Sequence, residues 1–523
     1  MIAAVVVAAC SSPNPVEVEE AVEIEAPTGS IGSVESAELD EAPDPTASTT
    51  EPDPSTTEAP TTSPVTTEPD PTTASPELRP PALGVDDELF PALGSSDIDV
   101  ESYLVVLDAT DPTEGGSGTV EMLASVAPEL DSIAIDSDGP VIESVSVDGT
   151  ATPFELVDGE LIVDTSTAQT ADGEAVISID FSFDANGSRS AVGLPIGWIP
   201  TTDGAYVLNE PDGSARWLPS NDHPSDKATW RWEITVADGH VASANGALLS
   251  RPRPGLGGTW VWEETDPMPT YLVHLVVGDY EVIEGDSVTS VDGRSIPLTH
   301  LVPAGELDRF ADDIEPTADQ LAFFEELFGP YPLERYGLAF VRELSGLAME
   351  TQGRSLFGAS DFDQRSVGYI QHLLLSHELA HQWFGNAVSP STWDALWLNE
   401  ALTTYAQWLW LDEIELQPLD RWAEQQLDLR LGGSLDATGD PLLGNLFGFE
   451  RYDGGAVVVH ALRQTLGDDA FFDLMRRWVD ENSGTSRSTD DFIELAEEVH
   501  GADLTEFFDA WLFAVDLPPE YPG

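Results

Sequence analysis

The chain has 523 residues, 96 of them acidic and 20 basic, for a formal net charge of −76. That balance excludes nucleic acid as a partner, because no basic footprint exists to displace counterions from phosphates. At ~100 to 200 residues per domain the length accommodates two to four domains, and so acidic a surface suits either a salty habitat or a biased proteome without naming an activity.

The sequence opens on "MIAAVVVAAC", a short apolar run closed by small residues and by Cys10, the only cysteine, so no intrachain disulfide is possible. "VAAC" resembles a bacterial lipobox, in which the cysteine becomes the lipidated first residue, although the usual basic segment is missing. A frayed apolar terminus is the alternative. Residues 11–85 carry 16 acidic residues, no basic one before Arg79 and few large apolar side chains. Such a Pro/Thr/Ser/Glu-rich stretch cannot offset its ordering entropy, so a disordered linker holding a domain off a membrane is expected. No later run of 18 or more apolar residues occurs. Membrane contact is therefore expected only through a lipidated Cys10, with the protein outside the cytoplasm, lipid-anchored or secreted.

Folded sequence is expected from residue 86. Up to about residue 285, runs such as "EAVISIDFSF", "WRWEITVA" and "TYLVHLVVGDYEVI" alternate apolar and polar residues between Gly, Asp and Pro turns, which predicts a β domain over 86–285. Residues 286–523 change period: "DDIEPTADQLAFFEELFG", "SVGYIQHLLLSHELAHQWFG" and "TWDALWLNEALTTYAQWLWLDE" space apolar residues three and four apart, as helices do.

Within the second of these helices, "SHELAHQWFG" places His377 and His381 four residues apart, so that both imidazoles project from one face and can share a tetrahedral ion. Glu378 lies beside them, where its carboxylate can take a proton from metal-bound water. Gly385 and Asn386 are expected to terminate this helix. Glu400 follows His381 after 18 intervening residues, enough for the first helix to end, the chain to turn and a second helix to bring a third ligand alongside. A glutamate on a helix is commonly solvated, but Leu396, Trp397, Leu398 and Ala401 surround this one, and a buried carboxylate needs a partner such as a metal.

"HELAH", 18 residues and then "NEA" resembles the gluzincin zinc aminopeptidases of the aminopeptidase N and leukotriene A4 hydrolase family. The likeness extends to "FPALGSSDIDVESYLVVL", to "LPSNDHPSDKATWRWEITV" and to "YDGGAVVVHALRQTLGDDAFF", in the family's order. It implies a multidomain β plus α+β protein of the short, two-domain form. A saddle-like N-terminal β domain would precede a mainly helical, thermolysin-like zinc peptidase domain.

Carried over by position, the resemblance implies one zinc per chain on His377, His381 and Glu400, with Glu378 as general base. Tyr452, which from sequence alone is a core or surface tyrosine, matches the residue that hydrogen-bonds the oxyanion. "SGLAMETQG" is similar to the exopeptidase signature, with Glu350 matching the carboxylate that anchors the substrate's α-amine. Leu347 stands where the first glycine is usual, and Thr351 where asparagine is. In "LNEPDGSARWLP", Glu210 is the candidate second amine anchor, or else a turn-capping acid before Pro211, and Asn209 replaces the family glutamine. The expected protein is a monomeric zinc aminopeptidase acting on peptides. The alternatives are an endopeptidase or other hydrolase on the same site, or an inactive surface-binding lipoprotein that keeps the scaffold. His223, His372 and His460 are expected to be structural.

Overall fold

The structure, a computed structural model, describes residues 79–127, 130–165, 173–185, 187–363 and 368–522. Cys10 and the expected linker up to residue 78 lie outside them. The described residues belong to one compact unit, and none of their helices is long and apolar enough to cross a membrane.

Alternation builds the first half. In Ala228–Val236 every second side chain is buried, so Trp230, Trp232, Ile234 and Val236 enter the core while Thr229, Arg231 and Glu233 stay partly exposed. This strand pairs in parallel with Ile98–Asp108 and antiparallel with Gly258–Met268, inside an eight-stranded sheet. A second, five-stranded sheet contains Gly204–Leu208 and Pro195–Thr201. Trp217 joins the two layers, its ring 5.7 Å from Trp198 in the second sheet and 6.5 Å from Trp232 in the first. Core packing of this kind fixes where Leu208, and Glu210 just beyond it, emerge.

A third sheet belongs to the second half, in the order Tyr280–Glu284, Thr299–Pro303, Leu338–Val341, Ser355–Gly358, Ala348–Met349. Its first strand starts ahead of residue 285, so the change of sheet falls at Gly278 instead. Gly278 has φ 153°, and a Cβ there would stand 2.8 Å from the Asp203 carbonyl oxygen, so a close turn is made where only glycine fits.

Three helices carry the candidate chemistry: Gly368–Ala380, Trp397–Glu413 and Asp453–Leu466. The middle one is buried at every residue from Trp397 to Leu411, so it forms the axis of the helical half. A Cβ on Gly455 would lie 2.6 Å from the Ala401 Cβ, and its absence lets the third helix press against the second. Two apolar cores result. One fills the β layers and runs on through Met349, Phe447 and Tyr452; the other fills the helical half. The two meet at the site. The chain thus has the expected order, a β domain followed by a mainly helical domain with its own small sheet.

Candidate active site

His377, Glu378 and His381 all reach the seam between the cores, but regular helix ends earlier than the sequence suggests. The α-helix stops at Ala380, and His381 to Trp383 form a tighter turn in which Gln382 and Trp383 donate to Leu379 and Ala380 carbonyls three residues back. Gly385 completes the reversal at φ 117°, with Asn399 3.1 Å and His381 3.4 Å from where a side chain would begin. Close packing against the next helix is what tightens the turn.

His377 Nε2 and His381 Nε2 are 3.1 Å apart, and Glu400 Oε2 lies 3.3 and 3.5 Å from them. A tetrahedral zinc with ligand bonds near 2.05 Å holds its donor atoms about 3.3 Å from one another, so this trio fits zinc. The far sides of the rings are also committed. His377 Nδ1 donates to Gln407 Oε1 at 3.1 Å and His381 Nδ1 to the Phe384 carbonyl at 3.1 Å, which leaves both Nε2 atoms facing inward, where a bound metal would take their lone pairs. Burial lowers the pKa of His377. Burial would also lower that of His381, but the Glu350, Glu400 and Glu378 carboxylates outweigh it and raise it. The site is thus an anionic pocket that attracts positive charge.

The cleft over these donors is lined by Glu210, Glu350, Glu378, Tyr452 and apolar residues including Leu208, Leu347 and Phe447, with no lysine or arginine among the lining residues. Donor atoms of Glu350, Glu378 and His381 lie within 4.8 Å of one another. Burial pushes Glu378 well above the usual carboxylate range; Glu350 and Glu400 add to this, against the pull of His381. Glu210 and Glu350 each leave one buried carboxylate oxygen, Oε1, without a hydrogen bond in the structure. Burial is the first cause that raises their pKa, and neighbouring carboxylates add to it. Tyr452 donates its phenolic hydrogen to Glu400 Oε1 at 3.0 Å, and burial, together with Glu400 and Glu210, keeps that phenol protonated.

All seven residues singled out in the sequence, Glu210, Glu350, His377, Glu378, His381, Glu400 and Tyr452, therefore line one cleft. The other histidines are held elsewhere: His223 bonds Asp87 and Ser225, and His460 bonds Tyr405 and Gln464. Sequence reasoning missed the residues that orient the donors. Glu400, Thr403 and Gln407 fall at i, i+3 and i+7, one stripe of a fully buried helix, and Thr403 Oγ1 lies 3.2 Å from His381 Nδ1. Polar residues on that stripe were the available signal. Lys227, the only lysine, lies in "LPSNDHPSDKATWRWEITV", a segment that carried part of the family likeness but was given no role; its Nζ donates to the carbonyls of Asn386 and Ala387 at 2.8 and 3.1 Å, tying the β domain to the turn after His381.

Comparison with known proteins agrees with this geometry. Residues 313–511 match the peptidase family M1 domain and residues 100–272 the peptidase M1 N-terminal domain. The chain is 26% identical over 450 residues to probable aminopeptidase 1 of Sulfurisphaera tokodaii, an alignment covering 81% of this chain and 54% of the relative. It is 28% identical to aminopeptidase N of Streptomyces lividans, over 79% of this chain and 50% of that one. The chain thus spans about half the length of these curated relatives. Among solved structures, a mutant of the M1 zinc metallopeptidase from Deinococcus radiodurans, bound to a Tyr-Ser-Ala substrate, superposes with a TM-score of 0.74 at 27% identity. That likeness covers 84% of this chain and 99% of the other. With both of the family's domains present in order, and a donor set that fits zinc at their junction, the chain belongs to peptidase family M1.

Proposed function

We propose that the protein is a zinc aminopeptidase that removes single residues from the N-terminus of peptides. The observation that carries this reading is the pair of unpartnered, buried carboxylate oxygens on Glu210 and Glu350 beside the metal donors. A protonated α-amine supplies the cation they lack. In an amino acid the amine nitrogen and the carbonyl carbon are about 2.5 Å apart, two bonds, so an amine at Glu350 sets the first peptide carbonyl beside the zinc donors. The aminopeptidase names of the relatives and the tripeptide bound by the Deinococcus radiodurans mutant support the same substrate class.

Zinc, when bound by His377, His381 and Glu400, supplies Lewis acidity toward a water and a carbonyl. The remaining work falls to the chain. Glu378 accepts the proton of the attacking water and returns it to the leaving amine, a two-way transfer suited to a carboxylate whose pKa burial has raised. Tyr452, a neutral donor, gives its hydrogen bond to the carbonyl oxygen as negative charge develops there. Leu208, Leu347 and Phe447 exclude water from the first residue.

The test is discrimination at the amine. Free-amine peptides are expected to be cleaved about 10²-fold or more faster than their N-acetylated forms, since the acetylated form leaves a buried carboxylate unpaired. Glu350→Ala should lose most of that ratio. Internal cleavage of acetylated peptides at the free-peptide rate would replace this reading with an endopeptidase.

The "VAAC" run and the acidic stretch after it support a chain held outside the cytoplasm through a lipidated Cys10. Fatty-acid labelling of the expressed chain that survives in Cys10→Ser would count against the anchor.

A further inference from the structure

The side chains of Gln382 and Asn386, just past the histidine pair, take no part in the chemistry above, yet both residues are fully buried, each 0% exposed. Their amides have a common target. Glu350 comes just after the two-residue edge strand Ala348–Met349, where its carbonyl has left the sheet ladder. That carbonyl accepts Gln382 Nε2 at 3.2 Å and Asn386 Nδ2 at 2.7 Å, which fills both of its lone pairs.

Gln382 Nε2 also donates to the Glu378 carbonyl at 3.2 Å. One side-chain amide thus bridges the backbone of the amine anchor and the backbone of the proton acceptor. Its Oε1 accepts from Gly353 N–H at 2.9 Å and from Asn386 Nδ2 at 3.1 Å, so its two hydrogens and its oxygen are all engaged. The orientation of the amide follows, because Gly353 N–H can only donate and the Glu350 carbonyl can only accept. Asn386 is in turn held from the β domain, through Lys227 on its backbone carbonyl.

We infer that Gln382 and Asn386 are positioning residues that set the distance between the Glu350 carboxylate and the metal donors, and thereby hold cleavage to one residue from the N-terminus. This rests on the aminopeptidase reading. A clamp on backbone suits the task, since Glu350 can meet an amine correctly only if the strand end bearing it stays fixed relative to Glu378 and His381. Displacement of a reacting group by about 1 Å is enough to cost about 10²-fold in rate. A pair that merely stabilised the turn would affect every substrate alike, whereas a positioning pair affects the substrates that use the anchor.

The experiment compares Gln382→Met with wild type as zinc-loaded full chains, on leucyl p-nitroanilide and on its des-amino analogue, alongside zinc content and melting temperature. Expected are unchanged zinc content, a kcat/KM for the free-amine substrate lower by about 10²-fold with a raised KM, and a des-amino rate changed by less than about threefold. If Gln382→Met is recovered unfolded, Asn386→Ser, which removes one of the two donors to the Glu350 carbonyl, carries the same comparison. An equal fall on both substrates, no fall on either, or loss of fold in both variants overturns the inference and leaves the pair a structural support of the turn. A wild-type enzyme without preference for the free amine fails the aminopeptidase reading itself, and the inference with it.

Discussion

Chelation abolishes hydrolysis, and one equivalent of zinc restores it, together with a higher melting temperature. The expectation follows from what the donor set becomes when nothing joins it. Glu400 lies against two imidazoles in a buried pocket that also holds Glu210, Glu350 and Glu378, and no lysine or arginine lines it. Four buried carboxylates with so little counter-charge repel one another, which is why Glu210, Glu350 and Glu378 are all raised above the usual range once burial has begun the shift. An ion that binds the folded state alone stabilises it by about 2.7 kcal/mol when present at a hundred times its dissociation constant. Elemental analysis of the purified chain should give about one zinc, as a site of two histidines and one carboxylate with an open fourth position requires. Full activity in demonstrably metal-free protein would sink the zinc assignment and every role built on it.

How far the site could be read from the sequence depends on the range of the signal. His377, Glu378 and His381 lie within one helical turn, so helix geometry alone brings them together, and the structure has them converging as that spacing requires. Glu400 needed one further step, a chain reversal, and the apolar residues around it already marked it as buried. Tyr452 and Glu350 were different. Nothing in their own neighbourhoods distinguishes a catalytic tyrosine or an anchoring glutamate from ordinary ones; their place came from a family pattern. Physically, Tyr452 reaches Glu400 because Gly455 lets two helices touch, a relation between positions 54 residues apart (455 − 401) that no local period records.

The remaining gaps have the same origin. The strand Tyr280–Glu284 alternates like its predecessors, so periodicity assigns it to the β domain, yet its partner Thr299–Pro303 puts it in the catalytic sheet. Pairing is a tertiary choice. The helix end at Ala380 is set by packing of Gly385 against Asn399, which lies beyond the reach of a capping rule. Gln407 and Gln382 were passed over because polar residues on or just past a helix are usually solvated, and Asn386 was read only as a helix terminator; the buried environment of their neighbours is what turns all three into orienting groups.

Glu378→Gln retains its zinc and loses about 10³- to 10⁴-fold in kcat/KM, the range that removal of a general acid–base group spans at its upper end. The substitution keeps the size of the side chain and takes away the group that receives a proton. Metal content is expected to hold, because the three closely converging atoms belong to His377, His381 and Glu400, at 3.1 to 3.5 Å from one another. Glu378 belongs to the looser group with Glu350 and His381, within 4.8 Å, which suits reach toward a water and a substrate. Tyr452→Phe gives the internal comparison. It removes one donor to the developing oxyanion and should cost about 10²-fold in turnover with little change in substrate affinity. The order of the two effects carries the argument, since proton transfer is needed in both directions of the reaction whereas the oxyanion has more than one source of stabilisation. Zinc content and kinetics are measured on the same preparations. Should Glu378→Gln emerge without its metal, Glu378 is a ligand, and the division of labour among the four residues has to be redrawn.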